Sequence, residues 1–397
     1  VTVTRASDAR LLGTALSAKA ASAGDEALLA ALDRLHDTIG DAADASSPAA
    51  LVGTLADALT QYANAPDDRQ RGQGVVAAAQ DLAGALNRGA AAVSTLRGEA
   101  DRAIGVAVEQ VNDLLARLAD LNATITSGSA AGIDVTASID QRDGLVSELA
   151  GEMGVTVVQR PRGEIAIYTD SGVPLLDRTA RTVSFRPTTA FDASTTGAAV
   201  YVDGVPVAGP SATMPLRAGR IVGLASARDE IAMRYQVQLD ETARGLVSAF
   251  AEADQGGAGA PLAGLFTWSG GPAIPAEGTH VPGLAAGIAV NAAVDPSRGG
   301  KVERLRDGGI NGAAYAANAA GTASFAGRIE AMAAGLAADR SFDARGGIGT
   351  DVALGSFATD SAGWLEAARK TASASRGYNE TLFSRARDAL SNAIGVN

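Results

Sequence analysis

The chain has 397 residues, with 33 Lys and Arg against 44 Asp and Glu, so its net charge at pH 7 is −11. Such an acidic chain is a poor candidate for binding nucleic acid, because phosphates require cationic contacts. It has no cysteine, which excludes disulfides, thiolate metal sites and cysteine nucleophiles, and two distant histidines, His36 and His280, are too few for a multi-histidine metal site. No apolar stretch approaches the roughly 20 residues that span a bilayer, and no signal peptide is visible.

Three long segments have the spacing of amphipathic helices. The strongest pattern covers residues 75–125, where apolar residues recur at alternating steps of three and four, as in a coiled coil. A helix of about 50 residues would be about 75 Å long, which is longer than a compact domain needs. Similar stripes predict helices over residues 221–253, where Arg228 interrupts the stripe, and 361–394. The last stripe consists of Trp364, Leu365, Ala368, Ala372, Tyr378, Leu382, Ala386 and Ala389.

Shorter helices are predicted at residues 26–36, 49–63 and 139–152. The last of these follows Ser138-Ile139-Asp140-Gln141, which has the spacing of a capping box and places an acid in the first turn.

The hydrophobic period changes to two after residue 154. The runs 155–158 and 164–168 flank Arg160-Pro161-Arg162-Gly163 and predict a β-hairpin. Residues 182–185 predict another strand. Asp203-Gly204 lies between the runs 200–202 and 205–207, and this dipeptide favours a type I′ hairpin turn. Residues 155–219 are therefore predicted to form a small all-β unit inserted between helices.

Residues 254–360 are less informative. Glycine pairs mark loops, residues 288–291 predict a strand, and residues 324–338 predict a helix.

No candidate catalytic or ligand-binding residue has the sequence surroundings that such a site requires. One interpretation of Asp140, Asp143 and Glu148 is a carboxylate cluster for general acid–base catalysis. The better explanation is structural: Asp140 lies at a helix N-terminus, and Asp143 and Glu148 lie on a solvated helix face. His36 and His280 are expected at the surface. Five further features are interpreted as structural and not as functional. Gly257-Ala258-Gly259 lacks a preceding strand, Asp295 and Asp307 belong to turns, and Trp268 and Trp364 are expected to anchor packing.

Several blocks occur together in a fixed order. The segment 63–87 contains NAPDDRQRGQGVVAAAQDLAGALN and is followed by DLNATI at 120–125, IDQRDGLVSEL at 139–149 and GVTV at 154–157. GRIVGL, RDE and YQVQLD follow between residues 219 and 240. This ordered set resembles the flagellar hook-associated protein 1 family, the hook–filament junction proteins. The resemblance covers about 50–255 well and the C-terminal helix less closely, whereas 256–345 matches loosely.

The resemblance implies an α+β multidomain fold. A long-helix rod would form from discontinuous segments, namely 1–154, 220–255 and 346–397. The segment 155–219 would be an inserted β domain, and 256–345 a variable insert. Family members carry further terminal helices that pair in the inner tube of the flagellum. Neither terminus here matches such a helix fully, so the resemblance implies a core fragment that is monomeric by itself.

The resemblance also implies a structural role with no catalytic, cofactor-binding or metal residues. The expected partners are the hook protein, the second junction protein (hook-associated protein 3), copies of the chain itself in a ring, and an export chaperone that binds the missing C-terminal segment. Neither nucleic acid nor membrane is expected as a partner. The expected location is extracellular, at the hook–filament junction, after type III export without a cleaved signal peptide.

The sequence leaves two other functions open. One is another flagellar axial protein, either flagellin-like or the second junction protein, although these lack the DQRD-type block. The other is an enzyme or ligand-binding module in the outer region, although no HExxH-type motif supports it.

Overall fold

The protein is described by a computed structural model that covers residues 9–394. Its α+β composition confirms the predicted fold class. The α-helices of this part of the chain are α1 (Ala9–Ile39), α2 (Pro48–Ala63), α3 (Arg69–Ala131), α4 (Thr136–Glu152), α5 (Arg220–Ser226), α6 (Ala232–Ala249), α7 (Leu284–Gly287), α8 (Arg304–Asp307), α9 (Gly327–Ala337) and α10 (Leu354–Ile394). The strands are β1 (Val155–Gln159), β2 (Ile165–Thr169), β3 (Pro174–Leu176), β4 (Val183–Ser184), β5 (Val200–Val202), β6 (Val205–Ala208), β7 (Phe266–Thr267), β8 (Ala289–Val290), β9 (Asp339–Ser341) and β10 (Asp351–Ala353).

Helix α3 is the longest element, with 63 residues and a length of about 95 Å at 1.5 Å per residue. It begins after Asp68, whose carboxylate accepts hydrogen bonds from the amides of Gln70 and Arg71. It ends at Gly132, which adopts the left-handed conformation with φ 71°. The apolar stripe predicted over 75–125 is confirmed, and the helix extends six residues beyond it at each end.

The described chain has two apolar cores, and α3 belongs to both. The first core contains residues 75–96 of α3 together with parts of α1, α2, α6, α10 and the segment 263–342. The second contains residues 100–118 of α3 together with Leu16 of α1, α4, α5 and the strands β1–β6. Because one continuous helix contributes to both cores, neither can rotate against the other without bending α3.

Helices α1 and α10 pack against each other in antiparallel orientation. Arg369 of α10 bonds to Asp33 of α1, and Asn379 bonds to Asp25 further along. Helix α1 begins at Ala9, so the short helix predicted over 26–36 was too short. Helix α1 contacts α10 most extensively, and it also packs on α5, α4 and α3.

The stripe predicted for α10 is wrong at two positions. Leu365, Ala372 and Ala386 are buried as expected, but Ala389 is exposed and Tyr378 is 66% exposed. Beyond Ala372, Ser375 and Asn379 of α10 bond to Asp25 of α1, and the flank of the helix that carries Tyr378 and Ala389 is exposed.

Helices α5 and α6 continue into each other through a π-helical turn, Ala227–Ile231. This composite helix confirms the helix predicted over 221–253, with an end at Ala249. Helix α6 is buried on every side between Tyr235 and Val247, including its polar residues. The segment that follows α6 covers the face that would otherwise be solvated.

The β unit consists of two three-stranded antiparallel sheets, ordered β1-β2-β3 and β4-β5-β6. Both predicted hairpins are confirmed. In the second, Asp203 and Gly204 have φ values of 46° and 82°, as a type I′ turn requires. The expected strand over 182–185 is present as β4, with two residues.

Residues 250–353 form a mantle of loops on the first core. The pairs β7–β8 and β9–β10 are antiparallel, and the predicted strand and helix of this region correspond to β8 and α9. The division of the chain at residues 154, 219, 255 and 345 stays a prediction, since both the β unit and the mantle share apolar cores with the long helices.

Helices α1 and α5 cross at glycines. The amide of Gly219 donates to the carbonyl of Ala20 at 3.0 Å, and a Cβ on Gly223 would lie 2.1 Å from the carbonyl oxygen of Gly24. The two backbones therefore approach more closely than any residue with a side chain permits.

Two valines of α3 test which face of this helix is core. Val111 is fully buried and Val106 is 50% exposed. We expect Val111→Ala to lower the free energy of unfolding by about 2 kcal/mol, because it removes buried methyl groups and leaves a cavity. Val106→Ala should leave it within about 0.5 kcal/mol. Urea unfolding followed by circular dichroism at 222 nm measures both, and equal losses would contradict the assigned stripe.

Two glycines should respond to alanine with opposite signs. Gly223→Ala should destabilise the chain by about 1–3 kcal/mol, because its methyl group overlaps the backbone of α1. A Cβ on Gly53 of α2 would have nothing within 4 Å, so Gly53→Ala should stabilise by up to about 1 kcal/mol through helix propensity. Thermal unfolding midpoints distinguish the two, and a rise for Gly223→Ala would refute the close crossing.

Candidate functional site

The described residues contain no constellation suited to metal chemistry. Within residues 9–394 no group of three or more His, Asp or Glu side chains is arranged to hold a metal ion. No helix in the same range combines the length and apolar character needed to cross a membrane.

The three carboxylates of α4 do not share a buried site. Asp140 and Glu148 are exposed, and Asp143 is half-buried and pairs with Arg142 at 2.9 Å. The capping box expected at Ser138 is wrong, because α4 begins two residues earlier at Thr136. Asp134 accepts hydrogen bonds from the amide and hydroxyl of Thr136, so an Asx-type contact outside the predicted box starts the helix.

The other residues noted in the sequence have structural surroundings. Asp254 accepts bonds from the amides of Gly256, Ala258 and Gly259, so this glycine loop encloses a carboxylate of its own chain. Trp364 stacks on Tyr235 with ring centroids 6.4 Å apart. Two further positions agree with their predicted settings, because Asp295 caps a short 3₁₀ turn and Asp307 ends α8. His36 is half-buried and not fully at the surface: a quarter of its side chain is exposed, and it lies near Glu366.

His280 is buried, which contradicts the surface position expected from its Pro/Gly-rich loop. Its side chain is 4% exposed, and Nε2 lies 2.9 Å from Oδ2 of Asp240. The same carboxylate of α6 accepts bonds from the amides of Gly283 and Ala285. Asp240 therefore fastens the mantle to α6. No local pattern in the sequence indicates this contact, because the partners are 40 or more residues apart.

Two residues of the ordered sequence blocks fix the first β-hairpin to the helices. The side chain of Asn122 on α3 donates to the carbonyl of Ile165 at 2.7 Å and accepts from its amide at 3.2 Å. Arg142 of α4 donates to the carbonyl of Gly163 at 2.7 Å. Both side chains are buried, so these polar positions act as anchors of the hairpin.

A buried cluster of charges lies where the two apolar cores meet. We call Arg97, Asp101, Arg228 and Asp229 the arginine joint. Arg228 projects from the π-helical turn, is fully buried, and contacts Asp101 of α3 at 2.5 Å. Its guanidinium also forms a bidentate pair with Asp229, at 2.9 and 2.7 Å. Arg97 donates to the carbonyl of Arg228 at 3.0 Å, which ties α3 to the turn a second time.

The arginine joint also holds the loop that connects β4 to β5. Arg97 donates to the carbonyls of Asp192 and Thr195, and Arg228 donates to the carbonyl of Ala198 at 2.7 Å. The remaining oxygen of Asp101 accepts from the amide of Thr188 at 2.7 Å. A Cβ on Gly197 would lie 2.3 Å from Arg228, so this position must be glycine for the loop to approach.

The electrostatics of the joint depend on pairing. Burial by itself lowers the pKa of Arg228, but hydrogen bonds and attraction from Asp229 and Asp101 outweigh burial and hold the pKa above its usual value. The pKa of Arg97 is lowered, chiefly by burial. A charge buried this deeply is tolerated because hydrogen bonds satisfy it on several sides. The sequence marked Arg228 as an interruption of its stripe but did not identify its partners.

A groove of about 1020 Å³ runs beside the joint, between α1 and α3. Its floor is formed by small and apolar residues of both helices, and α4 and α5 close one end. The lining includes Ala23, Ala27, Ala30, Ala100, Ala103 and Leu114.

The match to a known family follows the same elements. The family model described as "Flagellar hook-associated protein FlgK helical domain" matches residues 32–264, which is more than half of the chain. This range includes α2–α6, the β unit and the whole arginine joint.

Two relatives agree with this match. The chain is 39% identical over 105 residues to flagellar hook-associated protein 1 of Escherichia coli (strain K12), covering 26% of this chain and 19% of the relative. It resembles the structure of the flagellar hook junction protein FlgK from Burkholderia pseudomallei with a TM-score of 0.50 and 23% identity, covering 65% of this chain and 47% of that one. The chain thus spans less than half the length of these relatives. By the family match, the chain belongs to the family of the flagellar hook-associated protein FlgK helical domain.

Proposed function

We propose that this chain is a non-catalytic structural part of the bacterial flagellum and joins the hook to the filament. The observation that carries the proposal is the family match across residues 32–264, which coincides with the long helix α3 and the elements fixed to it. This match favours a junction protein over a flagellin-like subunit. The mechanism is mechanical: helices packed within and between subunits transmit load, and no covalent step is required.

The geometry is suited to carrying load. An isolated long helix bends easily, but α3 is supported along most of its length by the two cores. The glycine crossing between α1 and α5 and the arginine joint connect those cores at their boundary. A unit braced in this way resists both bending of α3 and rotation of one core against the other.

The partners in this proposal are the hook protein, the second junction protein and further copies of the chain. An export chaperone would act before assembly, and the final location would be the outside of the cell at the hook–filament junction. The β unit would point outward from the rods, with the arginine joint holding its β4–β5 loop against α3.

Loss of the central charge should release the joint. Arg228→Met keeps the length of the side chain but leaves Asp101 buried without its cationic partner. We therefore expect a loss of about 3–5 kcal/mol in the free energy of unfolding. Amide exchange around Thr188 should also accelerate, because its acceptor Asp101 is no longer held in place.

Arg181→Met is the matched control. Arg181 pairs with Asp203 at 3.3 Å on the surface, where both side chains are more than 40% exposed, and its loss should cost less than about 1 kcal/mol. Similar small losses for both variants, with unchanged exchange near Thr188, would show that the joint does not hold the β unit.

The function itself is tested by deletion in the bacterium that encodes this chain. Removal of the gene should leave hooks without filaments, and filament protein should accumulate in the medium. Re-expression of the unaltered gene should restore attached filaments under the electron microscope. Attached filaments in the deletion strain, or bare structures ending before the hook, would refute a junction role.

A further inference from the structure

The α1–α3 groove has an excess of acidic groups. Within residues 9–394, three of its acids are paired with lining cations: Glu99 with Arg34, Asp113 with Arg117, and Glu152 with Arg220. Three others make no ion pair with any described residue: Glu26 of α1, Glu109 of α3 and Glu148 of α4. Lys19 of α1 also lines the groove and lies over the Phe383 ring of α10. The lining therefore carries six acids against four cations, around a floor of small and apolar side chains.

The open face of α10 has the complementary character. Tyr378, Leu382, Arg385 and Ala389 follow one another at steps of four, three and four, which places them on one face of the helix. At 66%, Tyr378 is the most exposed large apolar side chain that the structure describes. Arg385 is exposed and has no acidic partner among the described residues. We call these four residues the α10 ridge.

We propose that the α10 ridge of one copy docks into the α1–α3 groove of a second copy, so that this pair of surfaces is a contact between neighbouring subunits. The proposal deepens the proposed function and rests on it for its biological setting. Tyr378 would lie among the alanines of the floor, where small side chains leave room for a ring. Arg385 would face the unpaired glutamates of the rim. Charge complementarity and the apolar stripe of the ridge both favour this occupant.

The contact joins two unlike surfaces. Such a heterologous contact repeats from one subunit to the next and closes into a ring or continues as a helix. Each subunit would contribute its ridge to one neighbour and its groove to the other.

Cysteine cross-linking tests the contact directly, because the chain has no native cysteine. Two differently tagged variants, Tyr378→Cys and Ala103→Cys, are mixed at high protein concentration and oxidised. We expect a disulfide-linked dimer that carries both tags, and its yield should fall as salt is raised. Ser373→Cys is the matched control on α10. It is exposed, but it lies about 140° around the helix from Tyr378 at 100° per residue, so it should give little mixed dimer.

Two arginines of α10 separate specific pairing from general attraction. Arg385 lies on the ridge, whereas Arg387 is also exposed but lies on the opposite side of the same helix. Arg385→Glu should lower the yield of mixed dimer by about fivefold, corresponding to about 1 kcal/mol, and Arg387→Glu should leave it unchanged. Equal effects of the two reversals, or equal yields from Ser373→Cys and Tyr378→Cys, would overturn the proposal.

The outcomes distinguish this proposal from the proposed function. Bare hooks in the deletion strain together with no specific cross-link would retain the junction role and reject the ridge-in-groove contact. A specific cross-link in a protein whose deletion leaves filaments attached would retain the contact and reject the junction role.

Discussion

Helix α3 is shared by two apolar cores, and the arginine joint occupies the place where those cores meet. On α3, Leu96 is the last residue of one core and Ala100 is the first residue of the other. Arg97 and Asp101 lie at this boundary. A buried charge is tolerated only if its partners are in place, so the joint fixes several elements at once. The π-helical turn must present Arg228, the β4–β5 loop must bring its carbonyls within reach, and Gly197 must have no side chain.

Polar residues have the same role elsewhere in the molecule. Asn122 and Arg142 fix the first hairpin to α3 and α4, and Asp240 fixes the mantle to α6 through His280 and two backbone amides. Apolar stripes bring these segments together without strict register, whereas hydrogen bonds at fixed distances select one arrangement. Such a division suits a protein whose proposed task is to keep its shape under load.

Two apolar surfaces of the described chain remain exposed. The molecule buries even charged side chains where it can pair them, yet it leaves Tyr378 and the floor of the α1–α3 groove uncovered. Among the described residues, the distal half of α10 bonds to Asp25 of α1 through Ser375 and Asn379, while Tyr378 and Ala389 on its flank stay exposed. Tyr378 stays exposed among the described residues, and the proposed contact with a second copy of the chain would cover it.

The sequence by itself determined three of the long helices, namely α3, the composite of α5 and α6, and α10, together with both hairpins and the family, because these depend on local periodicity, on a turn dipeptide and on ordered blocks of residues. Helix α1 was predicted only over 26–36, although it begins at Ala9. The sequence placed the stripe of α3 correctly and identified Arg228 as anomalous. Only the tertiary structure decided where the polar residues lie. His280 is buried, α6 has no solvated face, α4 begins before its apparent capping box, and Tyr378 lies outside the core. The physical reason is that periodicity reports the face of one element, whereas the partners that cover a face lie elsewhere in the chain. Asp101 and Arg228 are 127 residues apart, so neither reveals the other until the chain is folded.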